Sequence, residues 1–195
     1  MTEVLFVLIF VMNRILAVLI MNIFVVAAFA GLGISSTSDV TRYVPWAGML
    51  GMKVCGVDSR DGWKVLLPKV AASALVTVGT VYTMKETIHE WRPDHSDRKS
   101  FPSGHTAFAF AGAANLHHQY GHVSPWISIG GYAVAAFTAV DRVCRDRHHW
   151  HDTVAGAAVG LLSAKLSFFV ADRLFPKGSV DVAVGPTAIS MCCSF

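Results

Sequence analysis

Apolar residues along this chain fall in blocks. Ile15 to Ile34 carries no charge and one strongly polar side chain, Asn22; Val65 to Met84 carries only Lys69, Val123 to Val140 carries no charge, and Thr153 to Ala171 carries only Lys165. Runs of roughly 20 apolar residues match the hydrocarbon thickness of a bilayer. A soluble core accounts for one such run, whereas four within 195 residues predict an all-α, polytopic membrane helix bundle. Two further segments complete it: Tyr43 to Val57, weakened as a helix by glycines at 48, 51 and 56, and a helix from near Ser103 to Leu116. The expectation is about six transmembrane helices.

Two polar islands interrupt the blocks, Lys85 to Ser100 and Asp141 to Asp152. Two crossings separate them, so they return to one face of the membrane. With a cytoplasmic N-terminus that face is the outer, periplasmic one of a bacterial inner membrane, and Lys53, Arg60, Lys64, Arg173 and Lys177 lie inside. Residues 1–34 read as a membrane helix or as a signal peptide cut after Ala28-Phe29-Ala30. Residues 35–176 form the membrane domain and 177–195 a tail. The tail alternates apolar residues at Val180, Val182 and Val184, then Ile189, Met191 and Cys193, which fits a short strand or a frayed end.

Composition agrees with the pattern: 53% of residues are hydrophobic and 15% charged, against about 25% charged in a soluble domain. The net charge of +3 is small, and basic residues are interleaved with acids, so no nucleic-acid surface is expected. The cysteines at 55, 144, 192 and 193 form neither a CxxC pair nor a disulfide framework.

The islands carry the chemistry. The first holds Lys85, six residues, then Arg92-Pro93, and Pro102-Ser103-Gly104-His105 follows it; the second holds Arg142, five residues, His148, three residues, then Asp152. Three fixed cations, Lys85, Arg92 and Arg142, suit the oxygens of a phosphoryl group. Ser103 precedes a predicted helix, whose first N–H groups attract an anion, and Gly104 lets backbone approach closely. His148 and Asp152, four apart, share a face if helical. A carboxylate on one ring nitrogen fixes the tautomer and frees the other to attack. His105, beside the cradle, can protonate a departing alkoxide. One histidine attacks and one protonates, so neither metal nor cofactor is required.

These blocks resemble the type 2 phosphatidic acid phosphatase family, whose pattern runs K-x6-R-P, P-S-G-H and S-R-x5-H-x3-D. The resemblance spans Lys85 to Asp152, with helical flanks from Tyr43 to Phe175. It implies His148 as nucleophile, Asp152 as its orienting carboxylate and His105 as acid. It further implies Lys85, Arg92, Ser103, Gly104 and Arg142 as phosphate binders. One position departs: Asp141 stands where the family has serine, and a carboxylate there repels the anion unless a neighbouring arginine pairs with it. Arg92-Pro93-Asp94, Phe101-Pro102 and Cys55-Gly56-Val57-Asp58 are also similar to short bacterial enzymes acting on lipid A. The resemblance implies a lipid phosphate phosphatase with phosphorylated lipid and membrane lipids as partners, and the lipid A 4′-phosphate as favoured substrate. Undecaprenyl pyrophosphate and phosphatidylglycerophosphate are alternatives; a vanadate-dependent peroxidase or a non-catalytic membrane protein are alternatives of another class.

Other polar residues have plainer readings. The Arg142 spacing selects His148 over its neighbours His149 and His151. Zinc ligation by His105, His148, His149, His151 and Asp152 is not expected, because 148, 149 and 151 on a helix point to different faces. His117, His118 and His122 are expected at the opposite membrane interface. His89, Asp94, His95 and Asp97 fit a solvated loop able to touch a headgroup. Trp46, Trp91, Trp126 and Trp150 suit aromatic belts, and Lys69 and Lys165 either snorkel or face the bundle.

Overall fold

The computed structural model describes residues 37–174, 181–184 and 189–192. The predicted first helix or signal peptide, 1–34, lies outside the described residues. Among the described residues the helices are, in order, α1 (Thr37–Thr41), α2 (Val44–Val54), α3 (Trp63–Thr87), α4 (Gly104–Tyr120), α5 (Pro125–Cys144) and α6 (Trp150–Leu174). The tail forms two short strands, β1 (Asp181–Val184) and β2 (Ile189–Cys192), paired antiparallel with Val182 opposite Met191.

Helix α4 is the central post, flanked by α3, α5 and α6. Its buried residues are mostly small, including Ala107, Ala109, Ala111, Ala113 and Ala114. Helix α6 meets it through Gly156 and Gly160. A Cβ at Gly156 would lie 2.5 Å from the Ser103 carbonyl oxygen, and one at Gly160 would lie 2.1 Å from that of Ala107. Two glycines four apart therefore let the backbones of α4 and α6 touch, the small-residue packing expected where lipid supplies no hydrophobic drive between helices. This contact fixes the start of α6 against the start of α4.

Exposure is inverted relative to a soluble domain. Leu75, Val78 and Tyr82 on α3, Ile129, Phe137 and Val140 on α5, and Leu162, Leu166 and Phe169 on α6 point outward, while Ser73, Thr77, Asn115, Ser163 and Ser167 are buried. Three helices among the described residues, α3, α5 and α6, are long and apolar enough to cross a membrane. The helix within the expected segment Tyr43–Val57, α2, has 11 residues, about 16 Å at ~1.5 Å per residue and shorter than the ~30 Å hydrocarbon core. The chain nonetheless traverses the bundle here. Asp39 contacts His105 at one end, and Asp61 accepts from Gln119 at the other.

One expectation about interior residues changes and one is decided between its two alternatives. Trp46 is not in a belt: it is buried, stacked on Phe108 with ring centroids 4.8 Å apart, and its Nε1 donates to the Phe108 carbonyl. Trp126 and Trp150, at the starts of α5 and α6, are exposed as a belt requires. Lys69 takes the second of its expected readings and faces the bundle. It is fully buried, with its Nζ 2.8 Å from Asp61 and 2.6 Å from Asp172. Lys165 faces outward.

Candidate active site

The connections α3–α4 and α5–α6 meet at one end of the bundle. The Ser103 amide donates to the Asp152 carbonyl at 3.0 Å, and the Ser100 hydroxyl donates to Asp152 Oδ2. Arg147 pairs with Asp94 at 3.0 Å and His151 with Glu90 at 2.7 Å. Both polar islands are thus one surface, as the crossing count requires.

His148 sits just before α6, not on it. Asp146 adopts φ 52°, a left-handed conformation that aspartate tolerates better than most residues, and it ends the helical path between α5 and α6. The expected pairing persists in looser form: His148 Nδ1 lies 3.7 Å from Asp152 Oδ2, beyond a hydrogen bond but within reach of tightening around a ligand. Asp152 is fully buried and held by Ser100 and by the His149 amide at 2.8 Å. The His148 ring is 3% exposed. Burial first, then the charges of Arg142 and Lys85, push its pKa down from 6.5 to about 3. The imidazole is therefore neutral, with Nδ1 toward the carboxylate and Nε2 left to react.

Lys85, Arg92 and Arg142 all act electrostatically on this ring. Arg142, near the end of α5, is buried, with Nη1 3.3 Å from the Ser38 hydroxyl and Nε lacking a hydrogen-bond partner. Arg92 is steered by Asp97, 2.9 Å from its Nε, and Lys85 Nζ donates to the Lys99 carbonyl. Ser103 is the residue before α4 and is fully buried. Its amide donates to Asp152 and its hydroxyl lies 3.0 Å from that of Thr106, so any anion contact at this turn falls to the first-turn amides of α4, which lack intrahelical acceptors. A Cβ at Gly104 would sit 3.3 Å from Val81, so this glycine also lets α4 start close to α3. Asp141 meets the condition set by the sequence: its Oδ1 accepts from Arg145 Nε at 2.9 Å, which offsets the charge where the family has serine.

Sequence reasoning missed Asp39 and Arg42. Helix α1 presents Asp39 Oδ1 2.7 Å from His105 Nε2, with Arg42 Nη1 3.2 Å from the same nitrogen. One nitrogen cannot both donate to the carboxylate and accept from the guanidinium, and the shorter contact assigns the proton to the Asp39 bond. A signal was present, since Asp39 and Arg42 are the only charged residues between Arg14 and Lys53. Arg142 acts on His105 as well as on His148, so it stands between the two rings' fields. At the other end, a cavity of about 540 Å³ is lined by Asp58, Arg60, His117, His118 and His122; it mixes acids with bases and holds none of the motif residues.

The PAP2 superfamily profile matches residues 66–175. A lipid A 1-phosphatase of Porphyromonas gingivalis is 38% identical over 150 residues, covering 75% of this chain and 34% of its own length. Lipid phosphate phosphatase 2 of Arabidopsis thaliana is 41% identical over 101 residues, covering 46% of this chain and 34% of its own. The chain thus spans about a third of the length of these curated relatives. The crystal structure of Aquifex aeolicus LpxE shares the fold, with a TM-score of 0.54 at 21% identity over 77% of this chain and 86% of that one.

Proposed function

Since the chain belongs to the PAP2 superfamily, we propose that it is an integral membrane lipid phosphate phosphatase working through a phosphohistidine at His148, with residues 35–176 as its catalytic domain. The supporting observation is the convergence of three cations on a buried, neutral imidazole backed by a fixed carboxylate. Lys85, Arg92 and Arg142 take the phosphoryl oxygens and stabilise the charge that builds there. The lone pair of His148 Nε2 forms the N–P bond as the P–O bond to the lipid breaks. The departing electron pair goes to the alkoxide, which takes a proton from His105. Water, its proton taken by His105, then attacks the phosphohistidine, breaking the N–P bond, releasing inorganic phosphate and restoring both rings. Asp152 holds Nδ1–H and stabilises the positive ring that forms.

The substrate is a phosphorylated lipid of the bacterial inner membrane, reached from the periplasmic face where both islands open. Lipid A fits the motif surroundings. The similarity to a lipid A 1-phosphatase supports the 1-phosphate ahead of the 4′-phosphate favoured from sequence. Mass spectrometry of membrane lipids with and without the gene tests this directly. Accumulation of lipid A carrying the 1-phosphate is the expected result. Accumulation of 4′-phosphorylated lipid A returns the 4′ assignment, and an unchanged phospholipid and lipid A profile removes the proposal.

A further inference from the structure

Beside His148 lies a second cluster that the reaction above uses only in part. Glu90, His149, His151 and Asp152 each place one ligand atom within 4.8 Å of all the others. Glu90 Oε1 is 2.7 Å from His151 Nε2 and 3.7 Å from His149 Nδ1. Asp152 Oδ2 is 3.4 Å from His149 Nδ1, and its Oδ1 is 3.4 Å from His151 Nε2. A tetrahedral ion with bonds of ~2.0–2.2 Å sets its ligand atoms about 3.4 Å apart; three of these spacings are close to that edge, and the Glu90–His151 hydrogen bond would open to admit the ion.

The sequence argued against zinc because a helix would splay these histidines. That premise fails, because α6 starts only at Trp150 and the rings of His149 and His151 stack at 5.1 Å, nearly parallel. A second observation points to a ligand. Asp152 is fully buried, and its Oδ1 has no hydrogen-bond partner; His149 Nδ1 is likewise buried without one. Buried polar atoms are normally satisfied, and a bare carboxylate oxygen is costly. Two carboxylates also balance the charge of a divalent ion, and imidazole with carboxylate donors suits zinc.

We propose that Glu90, His149, His151 and Asp152 form a zinc site beside the anion cradle, and that filling it slows turnover by drawing the Asp152 carboxylate away from His148. The zinc site stands on its own geometry, whereas the slowing rests on the phosphatase reading. In calorimetric titration of the chelator-stripped full chain in detergent, the expected result is one equivalent of Zn²⁺. That binding is lost in His149→Ala/His151→Ala and weakened in Glu90→Gln. X-ray absorption should show nitrogen and oxygen ligands only. No stoichiometric zinc, unchanged binding by the double variant when thermal unfolding shows it folded, or sulfur in the coordination shell would each overturn the site. In the activity arm, zinc lowers kcat several-fold with KM moving less than about twofold. His151→Ala keeps its zinc-free rate and loses the inhibition. Zinc-loaded wild type turning over at the zinc-free rate overturns the coupling. If zinc-free wild type hydrolyses no phosphorylated lipid, the phosphatase reading fails, and calorimetry still decides the site.

Discussion

His148 and His105 are both imidazoles in one polar pocket, both held down by burial and Arg142, and they differ in the carboxylate each one meets. His148 is hemmed in by burial and by cations that hold its pKa near 3, so its lone pair stays available. Protonation would remove that lone pair only far below the ordinary 6.5. Rapid-quench formation of the phosphoenzyme is therefore expected to show no acid limb around pH 6.5, and one assigned to His148 would contradict the assignment. The same depression opposes stability in acid: the unfolded chain takes up the proton first, so this group's contribution is lost as pH falls from 6.5 toward 3. His148→Ala should abolish turnover while the protein remains folded in detergent. His105 is also held down, to about 4, by burial first and then by Arg142 and Arg42, while the Asp39 carboxylate on its Nε2 works against them and favours the proton-bearing ring. Asp39→Asn is expected to slow substrates with poor leaving groups by about 10-fold or more and good ones little, with a shifted basic limb. Equal slowing of both would make Asp39 merely structural.

At the scale of elements, the pocket exists because two pairs of helices lock together at two levels. Near the site, Gly156 and Gly160 let α6 touch α4. Any side chain at 160 meets the Ala107 carbonyl at 2.1 Å, so Gly160→Leu should separate Asp152 from Ser103 and reduce activity at least 100-fold if the helices part by about 1 Å. At the far end, the Lys69 ammonium joins Asp61 and Asp172, linking α3, the preceding loop and α6. Replacing it with methionine strands the buried Asp61 carboxylate, a loss of about 3–5 kcal/mol. Adding Asp61→Asn should recover much of the loss in thermal unfolding, and failure to recover would show that the lysine contributes by packing alone. Much of this was legible in sequence where the signal was local. Charged residues stand out in an apolar chain, and the spacing within each block needs no tertiary knowledge. Whether His148 shares a helix with Asp152 stayed open, because a single left-handed residue, Asp146, turns the chain before α6 without a glycine to announce it. Asp39 and Arg42 escaped because a five-residue helix is too short to show periodicity.

For the molecule as a whole, the decisive feature is which end faces which compartment. The site end gathers both islands and α1, and the far end gathers residues 58–62 with the end of α4. Crossing parity survives the shortness of α2 because residues 55–62 complete its passage, so Cys55 and Cys144, each free and exposed, belong to opposite ends. That makes orientation measurable with the protein's own thiols, once Cys192 and Cys193 are replaced by serine to silence the tail. In intact bacteria whose outer membrane has been made leaky, a membrane-impermeant maleimide is expected to label Cys144 and spare Cys55. Lysis should then expose Cys55 to the same reagent. The reverse pattern would put the anion cradle in the cytoplasm, where a lipid phosphate on the outer leaflet could not reach it. Equal labelling of both thiols before lysis would mean that the chain does not divide the membrane as its apolar blocks require.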